Sequence, residues 1–447
     1  MSKNVLNISV VGLGKIGLPL AVQFASKGHT VSGVDIDQRV VDLVNDAVEP
    51  FPGEHGLADG LRDVVPRGLL KAVTNYADAI ADSDVVVVVV PLFVDDEARP
   101  DFGWMDSATR SIAAHLTPGT LVSYETTLPV GTTRDRWVPL LAQGSGLTEG
   151  TDFHVVFSPE RVLTGRVFSD LRKYPKLIGG LSAEGARRAR EFYEAVLDFD
   201  ERADLPRANG VWDLGSAEAA ELAKLAETTY RDVNIGLANE FALYADRVGI
   251  DVHAVIDACN SQPYSHIHRP GIAVGGHCIP VYPRLYLWND PEATIVRAAR
   301  AANAAMPART IDALGALHGD LTDQTVVVLG AAYRGGVKET AFSGIFDAVD
   351  ALKARGARVL VHDPLYTTDE LASYGFESFQ EGQAADALVL QADHEVYRRW
   401  SHEQAPGVRT VIDGRRGLDS AAWGEATFVR LGDGTAARSG DIDQSAV

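Results

Sequence analysis

The sequence predicts an α/β protein with two Rossmann-like, doubly wound domains joined by a central segment dominated by one long helix. Three observations support this fold class. A strand, a glycine-rich turn and a helix follow one another from residue 8, one helical pattern covers residues 216–249, and a second alternation of strands and helices starts beyond Thr310. A chain of 447 residues is also too long for a single hydrophobic core, so several domains are expected.

The N-terminal segment has the order of a mononucleotide-binding βαβ unit. Its parts are a strand, a glycine turn, a helix, a second strand and a terminal acid: residues 8–11, Gly12 with Gly14 and Gly17, 19–25, 31–34 and Asp35. The first glycine permits the tight turn, the second lets the backbone approach a pyrophosphate, and the third lets the helix pack closely on the strand. The helix N-terminus then faces the phosphates with its positive dipole end.

The cofactor of this unit is predicted to be NAD. Asp35 lies where a carboxylate hydrogen-bonds a ribose 2′-hydroxyl and would repel the 2′-phosphate of NADP. Arg39 follows closely and weakens that preference, so NADP remains the alternative. A glycine turn with a purely structural role would not account for the matching strands, helix and acid. The residues predicted to bind the cofactor in this unit are Gly12, Gly14, Lys15, Ile16, Gly17, Asp35 and Arg39.

Three further strands are predicted in the first domain, at residues 84–90, 120–126 and 153–159. The carboxyl ends of strands in an open parallel sheet line the ligand crevice, so the loops after these strands are expected beside the cofactor. The loops contain Thr127 in ETTLPVGTT, and Glu160 with Arg161 in SPERVLTG. An ordinary capped loop would explain either segment taken alone.

The long central helix is predicted to begin at Ser216, a candidate N-cap, and to end before a glycine at position 249. Its apolar residues cover a broad face, which suits a spine between domains or subunits. Lys224, Thr228 and Arg231 recur at helical spacing and share one stripe. This stripe is either a solvated face or, because it lies close in sequence to the cysteine loop, a part of the active site.

The last third of the chain restarts the α/β alternation. Strands are predicted in QTVVVLG, ARVLVHDP, ADALVLQADH and VRTVIDGRRGLD, with a helix in SGIFDAVDALKARG. The first turn, GAAYRGG, lacks G-x-G-x-x-G, so this domain is expected to bind something other than a second dinucleotide. Tyr333, Arg334 and Arg415 are candidates to hold phosphates or to stack on a base. Residues 436–447 are predicted to be disordered.

Charge and cysteine content exclude several classes of protein. A formal net charge of −20 argues against nucleic-acid or anionic-membrane binding, because both need a basic surface. The apolar run DVVVVVVPLFV is too short to span a bilayer and contains Pro91, so it indicates a strand buried on both faces. The sequence contains two cysteines, Cys259 and Cys278, too few for a disulfide framework. It also enters a strand without an apolar leader. Both observations predict a cytoplasmic protein.

Cys278 lies in AVGGHCIPVYP, a loop framed by glycines and prolines. A zinc site would need further ligands at suitable spacing, whereas only His277 is adjacent and no C-x-x-C occurs, so no metal is expected. A buried structural thiol is the common role of a lone cysteine. The third interpretation, a nucleophile, suits this loop best, because the glycines grant a substrate close approach and the prolines stiffen the chain.

An NAD site and a nucleophilic cysteine together indicate the four-electron oxidation of a primary alcohol. Loss of one hydride gives an aldehyde, thiolate addition gives a thiohemiacetal, a second hydride loss gives a thioester, and water releases a carboxylate. Lys224 is a candidate cation for the developing oxyanion. Two other classes stay open: a nucleotide-binding protein without turnover, and a two-electron dehydrogenase of the 6-phosphogluconate or hydroxyacid type.

Seven segments together resemble the UDP-glucose/GDP-mannose dehydrogenase family over nearly the whole chain. They are VVGLGKIGLPLA, ETTLPVGTT, SPERVLTG, AELAKLAETTYRDVNIGLANE, PGIAVGGHCIPV, HDP and VIDGRRGLD. PERVLTG and RDVNI are most similar to the branch that oxidises UDP-N-acetylhexosamines, typically UDP-N-acetylmannosamine, to uronic acids. The resemblance implies an NAD domain at 1–205, a central helical domain at 206–310 that forms a homodimer through its long helix, and a UDP-sugar domain at 311–435.

The resemblance also implies roles for individual residues. Cys278 is implied to be the nucleophile, Lys224 the general acid/base and oxyanion partner, and Glu160 a neighbour of the catalytic water. Positions that contact the sugar nucleotide in the family are matched by Arg161, Val162, Arg231, Gly275, Tyr333, Arg334 and Arg415. Thr127 matches a cofactor contact.

Several residues of the family pattern are replaced in this chain. Thr228 stands where an asparagine usually binds the oxyanion and the water, and its hydroxyl still donates one hydrogen bond. Tyr282 replaces an aspartate that orders the lysine and the water. Further replacements are Gln262, Tyr264 and Ala341, and the PTP turn of the NAD domain is PLF. The changes lie around the sugar and the water, so slow thioester hydrolysis is a hypothesis and UDP-glucose is the alternative substrate.

Overall fold

A computed structural model describes residues 5–95 and 97–435, so the tail predicted at 436–447 lies outside the described residues. The chain forms two compact units. The first comprises the residues up to Glu227 together with Arg284–Asn289, and the second comprises Thr228–Pro283 together with the residues from Asp290 onward. Each unit contains one large β-sheet.

The described residues of the first unit contain an eight-stranded sheet, a separate antiparallel pair of short strands (β5 and β6) and eight helices that lie entirely within this unit. The strands are β1 (Asn7–Val11), β2 (Thr30–Val34), β3 (Leu70–Val73), β4 (Val85–Val88), β5 (Phe93–Val94), β6 (Pro100–Asp101), β7 (Leu121–Tyr124), β8 (His154–Phe157), β9 (Lys176–Gly180) and β10 (Val211–Asp213). The helices are α1 (Gly17–Ser26), α2 (Gln38–Asn45), α3 (Leu57–Val64), α4 (Ala77–Ile80), α5 (Gly103–Ala113), α6 (Val138–Ser145), α7 (Val167–Lys173) and α8 (Ala183–Val196), with a π-helical turn at Thr133–Trp137 before α6.

The order of strands in this sheet is β10-β9-β8-β7-β4-β1-β2-β3, in which the chain winds outward in both directions from β1. The strands from β8 to β3 are parallel, as predicted. Beyond the predicted strands, β9 runs antiparallel to β8 and pairs Gly180 with Val156, and the edge strand β10 is parallel to β9. A strand buried on both faces has an apolar sequence whether it is parallel or antiparallel to its neighbour, so its sequence does not predict its orientation.

Strand β4 shows why the apolar run forms a strand. Its four valines are all buried, and it lies between β1 and β7 in the middle of the sheet. β-Branched side chains favour the extended backbone, and a central parallel strand buries both of its faces. The strand predicted at 84–90 is therefore confirmed with shorter bounds.

The second unit contains a six-stranded sheet with every pair of neighbours parallel. Two helices include residues of both units: α9 (Ala217–Val248) and α11 (Tyr282–Asn289). The others are α10 (Val252–Cys259), α12 (Thr294–His318), α13 (Ile345–Lys353) and α14 (Thr368–Ser373), and the strands are β11 (Thr325–Leu329), β12 (Arg358–His362), β13 (Glu377–Ser378), β14 (Ala387–Leu390), β15 (Thr410–Asp413) and β16 (Thr427–Arg430). The strand order is β13-β12-β11-β14-β15-β16. The predicted class, two Rossmann-like doubly wound sheets with a long helical segment between them in the sequence, is confirmed.

The long helix α9 has the bounds that its sequence pattern predicts. The Ser216 hydroxyl accepts a hydrogen bond from the Ala219 N–H at 3.1 Å, which confirms the predicted N-cap. Gly236 permits close packing on α12, because a Cβ atom there would lie 3.2 Å from the Cα of Ala299. Neither α9 nor any other helix of residues 5–95 and 97–435 is long and apolar enough to cross a bilayer.

The predicted domain limits remain predictions. The sheet of the first unit extends past residue 205 to β10, and α12 continues through residue 310. The two compact units divide the chain within α9, between Glu227 and Thr228.

Candidate active site

The glycine-rich turn between β1 and α1 has the geometry that a dinucleotide requires. Gly12 has a φ of +93°, a conformation that only glycine adopts without strain. A Cβ atom on Gly17 would lie 1.8 Å from the Gly12 carbonyl oxygen, so no side chain fits there. A Cβ atom on Gly14 would meet nothing within 4 Å, so this face of the turn is open to a ligand. The residues present therefore fit the pyrophosphate of NAD at the N-terminus of α1.

Asp35 is held in place at the carboxyl end of β2. One carboxylate oxygen accepts from the Leu13 N–H at 2.8 Å, and the other accepts from the Asp37 N–H at 3.0 Å. Arg39 lies in the first turn of α2, where its Nε is 3.8 Å from the Asp37 carboxylate. Asp35 thus has a fixed carboxylate beside the glycine turn, as ribose recognition requires.

A buried charge network lies at the carboxyl ends of β7 and β8. The Lys176 ammonium is 2.7 Å from the Glu125 carboxylate and 2.8 Å from the Glu160 carboxylate. The Tyr193 hydroxyl donates to the second oxygen of Glu125 at 2.6 Å, and the Arg161 N–H donates to the second oxygen of Glu160 at 2.8 Å. Two carboxylates and one ammonium leave the network with an excess of one negative charge when all three are ionised.

The pKa values of the two carboxylates in this network are shifted in opposite directions. Burial raises the pKa of Glu125, although Lys176 opposes the shift. Burial also acts to raise the pKa of Glu160, but Lys176, the Arg161 N–H and the Lys224 charge outweigh it, so this pKa is lowered. Because Lys224 acts on Glu160, its charge lies close to the network. Glu125 therefore takes up a proton before Glu160 does.

Glu221, one turn before Lys224 on α9, anchors the loop that follows β7. Its fully buried carboxylate accepts from the Gly131 N–H at 2.6 Å, the Thr133 N–H at 3.0 Å and the Thr133 hydroxyl at 2.6 Å. Asn289 bonds both main-chain groups of Val130 in the same loop. The loop that contains Thr127 is thus fixed to the helix that carries Lys224.

We expect the substitution Glu221→Ala to lower the free energy of unfolding by about 3 kcal/mol, because it leaves buried donors without an acceptor. Urea denaturation followed by circular dichroism measures the change. Glu218→Ala is the matched control, since Glu218 lies on the same helix in a partly exposed ion pair with Arg134. It should cost less than about 1 kcal/mol. Equal losses for the two variants would contradict the anchoring role.

Cys278 is exposed in a loop of the second unit that packs against the segment 333–342. The Gly276 N–H donates to the Ala341 carbonyl at 2.9 Å. A Cβ atom on Gly275 would lie 2.7 Å from the Cβ of Tyr333, so glycine is needed for this approach. The Tyr282 N–H donates to the Cys278 carbonyl at 2.9 Å, where α11 begins. The thiol therefore stands on a fixed, solvent-facing turn.

Two of the arginines predicted to hold the sugar nucleotide, Arg334 and Arg415, lie near this turn. The Arg415 guanidinium donates to the carbonyls of Ala273 at 2.9 Å and Gln391 at 2.8 Å, and Arg334 donates to the Tyr333 hydroxyl at 3.2 Å. Arg415 also lines a cavity of about 420 Å³ in this unit. The hydrogen bonds to these carbonyls fix the orientation of the Arg415 guanidinium, so its positive charge has a defined position.

The acid that follows β12 in the second sheet, Asp363, has different contacts from Asp35, which follows β2 in the first. Asp363, at the end of β12, accepts from the N–H groups of Ala331 and Ala332 at 2.8 and 3.1 Å and pairs with His394 at 3.1 Å. This carboxylate is buried, and its hydrogen bonds are made with the turn and with His394. The arrangement supports the expectation that this turn binds something other than a second dinucleotide.

The remaining predicted residues lie in three places. Thr127 is buried after β7, and Val162 packs against the core of the first unit. Thr228 and Arg231 lie on the part of α9 that belongs to the second unit, with Thr228 fully buried. The structure thus gathers the cofactor residues in the first unit, and Gly275, Cys278, Tyr333, Arg334 and Arg415 in the second. Residues 5–95 and 97–435 contain no cluster of three side chains suited to a metal ion.

Three residues with a place in this geometry were not predicted. Lys176 gives a signal in the sequence, because a lysine in the apolar strand KLIGG needs a buried partner. Glu125 belongs to the ETT segment, but its partners are far away in the sequence. Glu221 has a residue type that is common on helices, so its anchoring role has no local signal.

A glycine turn of this geometry and a fixed acid at the next strand define a dinucleotide-dependent enzyme of the dehydrogenase class. Family models agree in all three parts of the chain. The NAD binding domain of the UDP-glucose/GDP-mannose dehydrogenase family matches residues 6–197, its central domain matches 218–305, and its UDP binding domain matches 327–420. The chain belongs to the UDP-glucose/GDP-mannose dehydrogenase family, and its cofactor is NAD.

The most similar relatives found belong to one branch of this family. A UDP-N-acetyl-D-mannosamine dehydrogenase of Pyrococcus horikoshii is 37% identical over 92% of this chain and 95% of its own. An NDP-N-acetyl-D-galactosaminuronic acid dehydrogenase of Ralstonia nicotianae is 33% identical over 93% of this chain and 96% of its own. The solved UDP-D-ManNAc dehydrogenase of P. horikoshii superposes with a TM-score of 0.85 at 33% identity, covering 96% of this chain and 99% of that one. The predicted similarity to the N-acetylhexosamine branch is confirmed.

Proposed function

We propose that this protein oxidises the C6 alcohol of a UDP-N-acetylhexosamine to the uronic acid, with NAD as the acceptor and Cys278 as the covalent nucleophile. The observation that carries the proposal is the exposed Cys278 on a rigid turn within the unit that contains the UDP binding domain. UDP-N-acetyl-D-mannosamine is the proposed sugar, because it gives the P. horikoshii relative its name. The turn and the arginines beside it suit an anionic sugar nucleotide.

The proposed roles follow from chemistry. NAD held at the glycine turn would supply the hydride acceptor, and the two oxidations would consume two NAD molecules in succession. Lys224 takes the proton of the alcohol and stabilises the oxyanion that forms when the Cys278 thiolate adds to the aldehyde carbon. Water then attacks the thioester carbon, Glu160 accepts a proton from that water, and the carbon–sulfur bond breaks. The substrate is released as a carboxylate and the thiol is regenerated.

Binding of the two nucleotides is assigned to different residues. The backbone around Gly14 holds the NAD pyrophosphate, Asp35 bonds the ribose 2′-hydroxyl, and Thr127 contacts the cofactor. The residues proposed to contact the UDP-sugar are Arg161, Val162, Arg231, Gly275, Tyr333, Arg334 and Arg415. The positive charge of the arginines matches the diphosphate of the substrate.

A panel of UDP-, GDP- and dTDP-sugars with NAD tests this assignment. We expect NADH formation with a UDP-N-acetylhexosamine and a product that has gained one oxygen and lost two hydrogens, detected by mass spectrometry. The presence of Thr228 and Tyr282 in place of the family residues favours one other function, a sugar-nucleotide-binding protein without turnover. Binding of UDP-sugars in calorimetry without NADH formation would establish that function, and NADH formation with UDP-glucose alone would assign the glucose substrate.

We also propose that the protein forms a homodimer through α9. Tyr230, Leu237, Phe241, Tyr244 and Val248 are all exposed, and their spacing puts them on one face of the helix. A stripe of large exposed apolar side chains is the signature of a contact surface. A second copy of the same helix offers the same stripe, so a two-fold contact buries both.

Leu237→Glu combined with Phe241→Glu is expected to convert the dimer to a monomer. Each of these side chains would lose about 1.5–3 kcal/mol of burial, so the dissociation constant should rise more than about 100-fold. Sedimentation equilibrium measures it. Val396→Glu is the control, since Val396 is an exposed apolar residue of the same unit away from α9. A wild-type monomer, or a variant that remains dimeric, would be incompatible with this contact.

A reducing compartment, and hence the cytoplasm, is the proposed location. Among the described residues, both cysteines are free thiols, and Cys278 must stay reduced to act as a nucleophile. Fractionation of cells that express the tagged protein tests this, and recovery outside the cytoplasm would contradict it.

A further inference from the structure

The Glu125–Lys176–Glu160 network is closed to solvent except at one group. The exposed fraction of the side chain is 0% for Glu125 and 4% for Lys176, but 11% for Glu160. Glu160 is therefore the member of the network that is most accessible to a water molecule or a substrate. The ammonium that it contacts is fixed from behind by Glu125, which the Tyr193 hydroxyl holds in turn.

Burying an ammonium and two carboxylates is costly, and a simple structural contact does not need it. A lysine buried in this way loses several kcal/mol of hydration, which the two carboxylates repay only with good geometry. Replacement by an apolar residue would be the cheaper way to fill the end of β9. What the network provides is a Glu160 carboxylate whose orientation and ionised state are both fixed.

We propose that Lys176 and Glu125 are positioning residues for the hydrolysis of the acyl-enzyme, and that they hold Glu160 as the ionised base that activates water. This inference rests on the proposed function. The step is balanced: Glu160 takes one proton from water, the water oxygen bonds to the acyl carbon, and the Cys278 thiolate leaves. The proton on Glu160 then passes to solvent through its exposed edge.

The network compensates for two replacements in the family pattern. Thr228 and Tyr282 stand where the resemblance implies an asparagine and an aspartate that order the water and the lysine. In this chain, the Glu160 carboxylate held by Lys176 supplies the base. Loss of Lys176 is therefore expected to slow hydrolysis of the acyl-enzyme more than it slows the two hydride transfers.

The test measures hydride transfer and hydrolysis separately in the full-length protein with NAD and the UDP-sugar that the panel identifies. The main variant is Lys176→Met with Glu125→Gln, which removes one buried cation together with one buried anion, so the network keeps its net charge of minus one on Glu160. Glu125→Gln alone keeps the contact of Lys176 with Glu160, and Lys176→Arg restores the cation. Lys27→Met is the control, because Lys27 forms a more exposed ion pair with Asp198 in the same unit.

We expect the double variant to keep the NADH burst within about threefold of wild type, while steady-state turnover falls about 100-fold. Rapid-quench mass spectrometry should then show an acyl adduct on Cys278. Lys176→Arg should recover turnover to within about tenfold, and Lys27→Met should change nothing. The pH profile of turnover in Glu125→Gln should lose the ionisation that belongs to Glu125.

Two results overturn the inference. Either the burst and the turnover fall by the same factor in the double variant, as general damage to the fold would cause, or turnover is unchanged and no adduct appears. A wild-type protein that forms no NADH with any sugar nucleotide overturns the proposed function instead, and the inference falls with it. The wild-type measurement thus separates the two failures.

Discussion

Replacing Cys278 with alanine is expected to lower uronic acid formation at least about 10³-fold, because the acid can form only after sulfur has bonded to the aldehyde carbon. An aldehyde has no alkoxide to expel a second hydride. The thiohemiacetal supplies one, so the thiol is needed for the second oxidation. The measurement is the yield of acid by liquid chromatography, with NADH formation followed in the same sample.

The matched control for this variant is Cys259→Ala. Cys259 ends α10 and is the other cysteine of the chain, so it tests whether loss of any thiol is enough. We expect it to retain wild-type turnover. A full NADH yield from Cys278→Ala, with no acid formed by the variant or by the wild type, would instead place the protein among the two-electron dehydrogenases that need no cysteine.

Replacing Lys224 with methionine is expected to lower kcat about 10²–10³-fold with little change in KM, because a cation near a developing oxyanion acts in the transition state. Lys224 is buried on α9, and its charge lowers the pKa of Glu160, so it lies at the network that carries the proposed base. Loss of the charge should also raise the pKa of Glu160. Steady-state kinetics between pH 5 and 9 measure both effects, and the acid limb of the profile is expected to move to higher pH.

Lys173→Met is the control for Lys224→Met, since Lys173 is an exposed lysine of the same unit at the end of α7. It should leave kcat and the profile unchanged. A Lys224→Met protein with kcat within threefold of wild type would remove this residue from the mechanism, whatever the outcome for Cys278.

Local patterns account for the elements of the fold that the sequence predicts. The G-x-G-x-x-G turn, the valines of β4 and the Ser216 cap each involve residues close together in the chain. The orientation of β9 has no such pattern, because apolar strands of either direction look alike. Fold class was therefore predictable, and the mixed edge of the first sheet was not.

Long-range contacts account for what the sequence did not predict in the site. Lys176 meets Glu125 across 51 residues, and Tyr193 meets Glu125 across 68. No periodicity links such positions, so the network appears only when β7, β8, β9 and α8 are assembled. The loop of Cys278 is different, because its glycines and prolines mark it locally, while its contact with Tyr333 again requires the fold.

The number of NADH molecules formed for each molecule of UDP-sugar consumed tests the central claim most directly. A sulfur-bound intermediate oxidised in place gives about two NADH and a carboxylate, with no free aldehyde. One NADH per sugar, with the aldehyde accumulating in solution, would contradict covalent catalysis by Cys278.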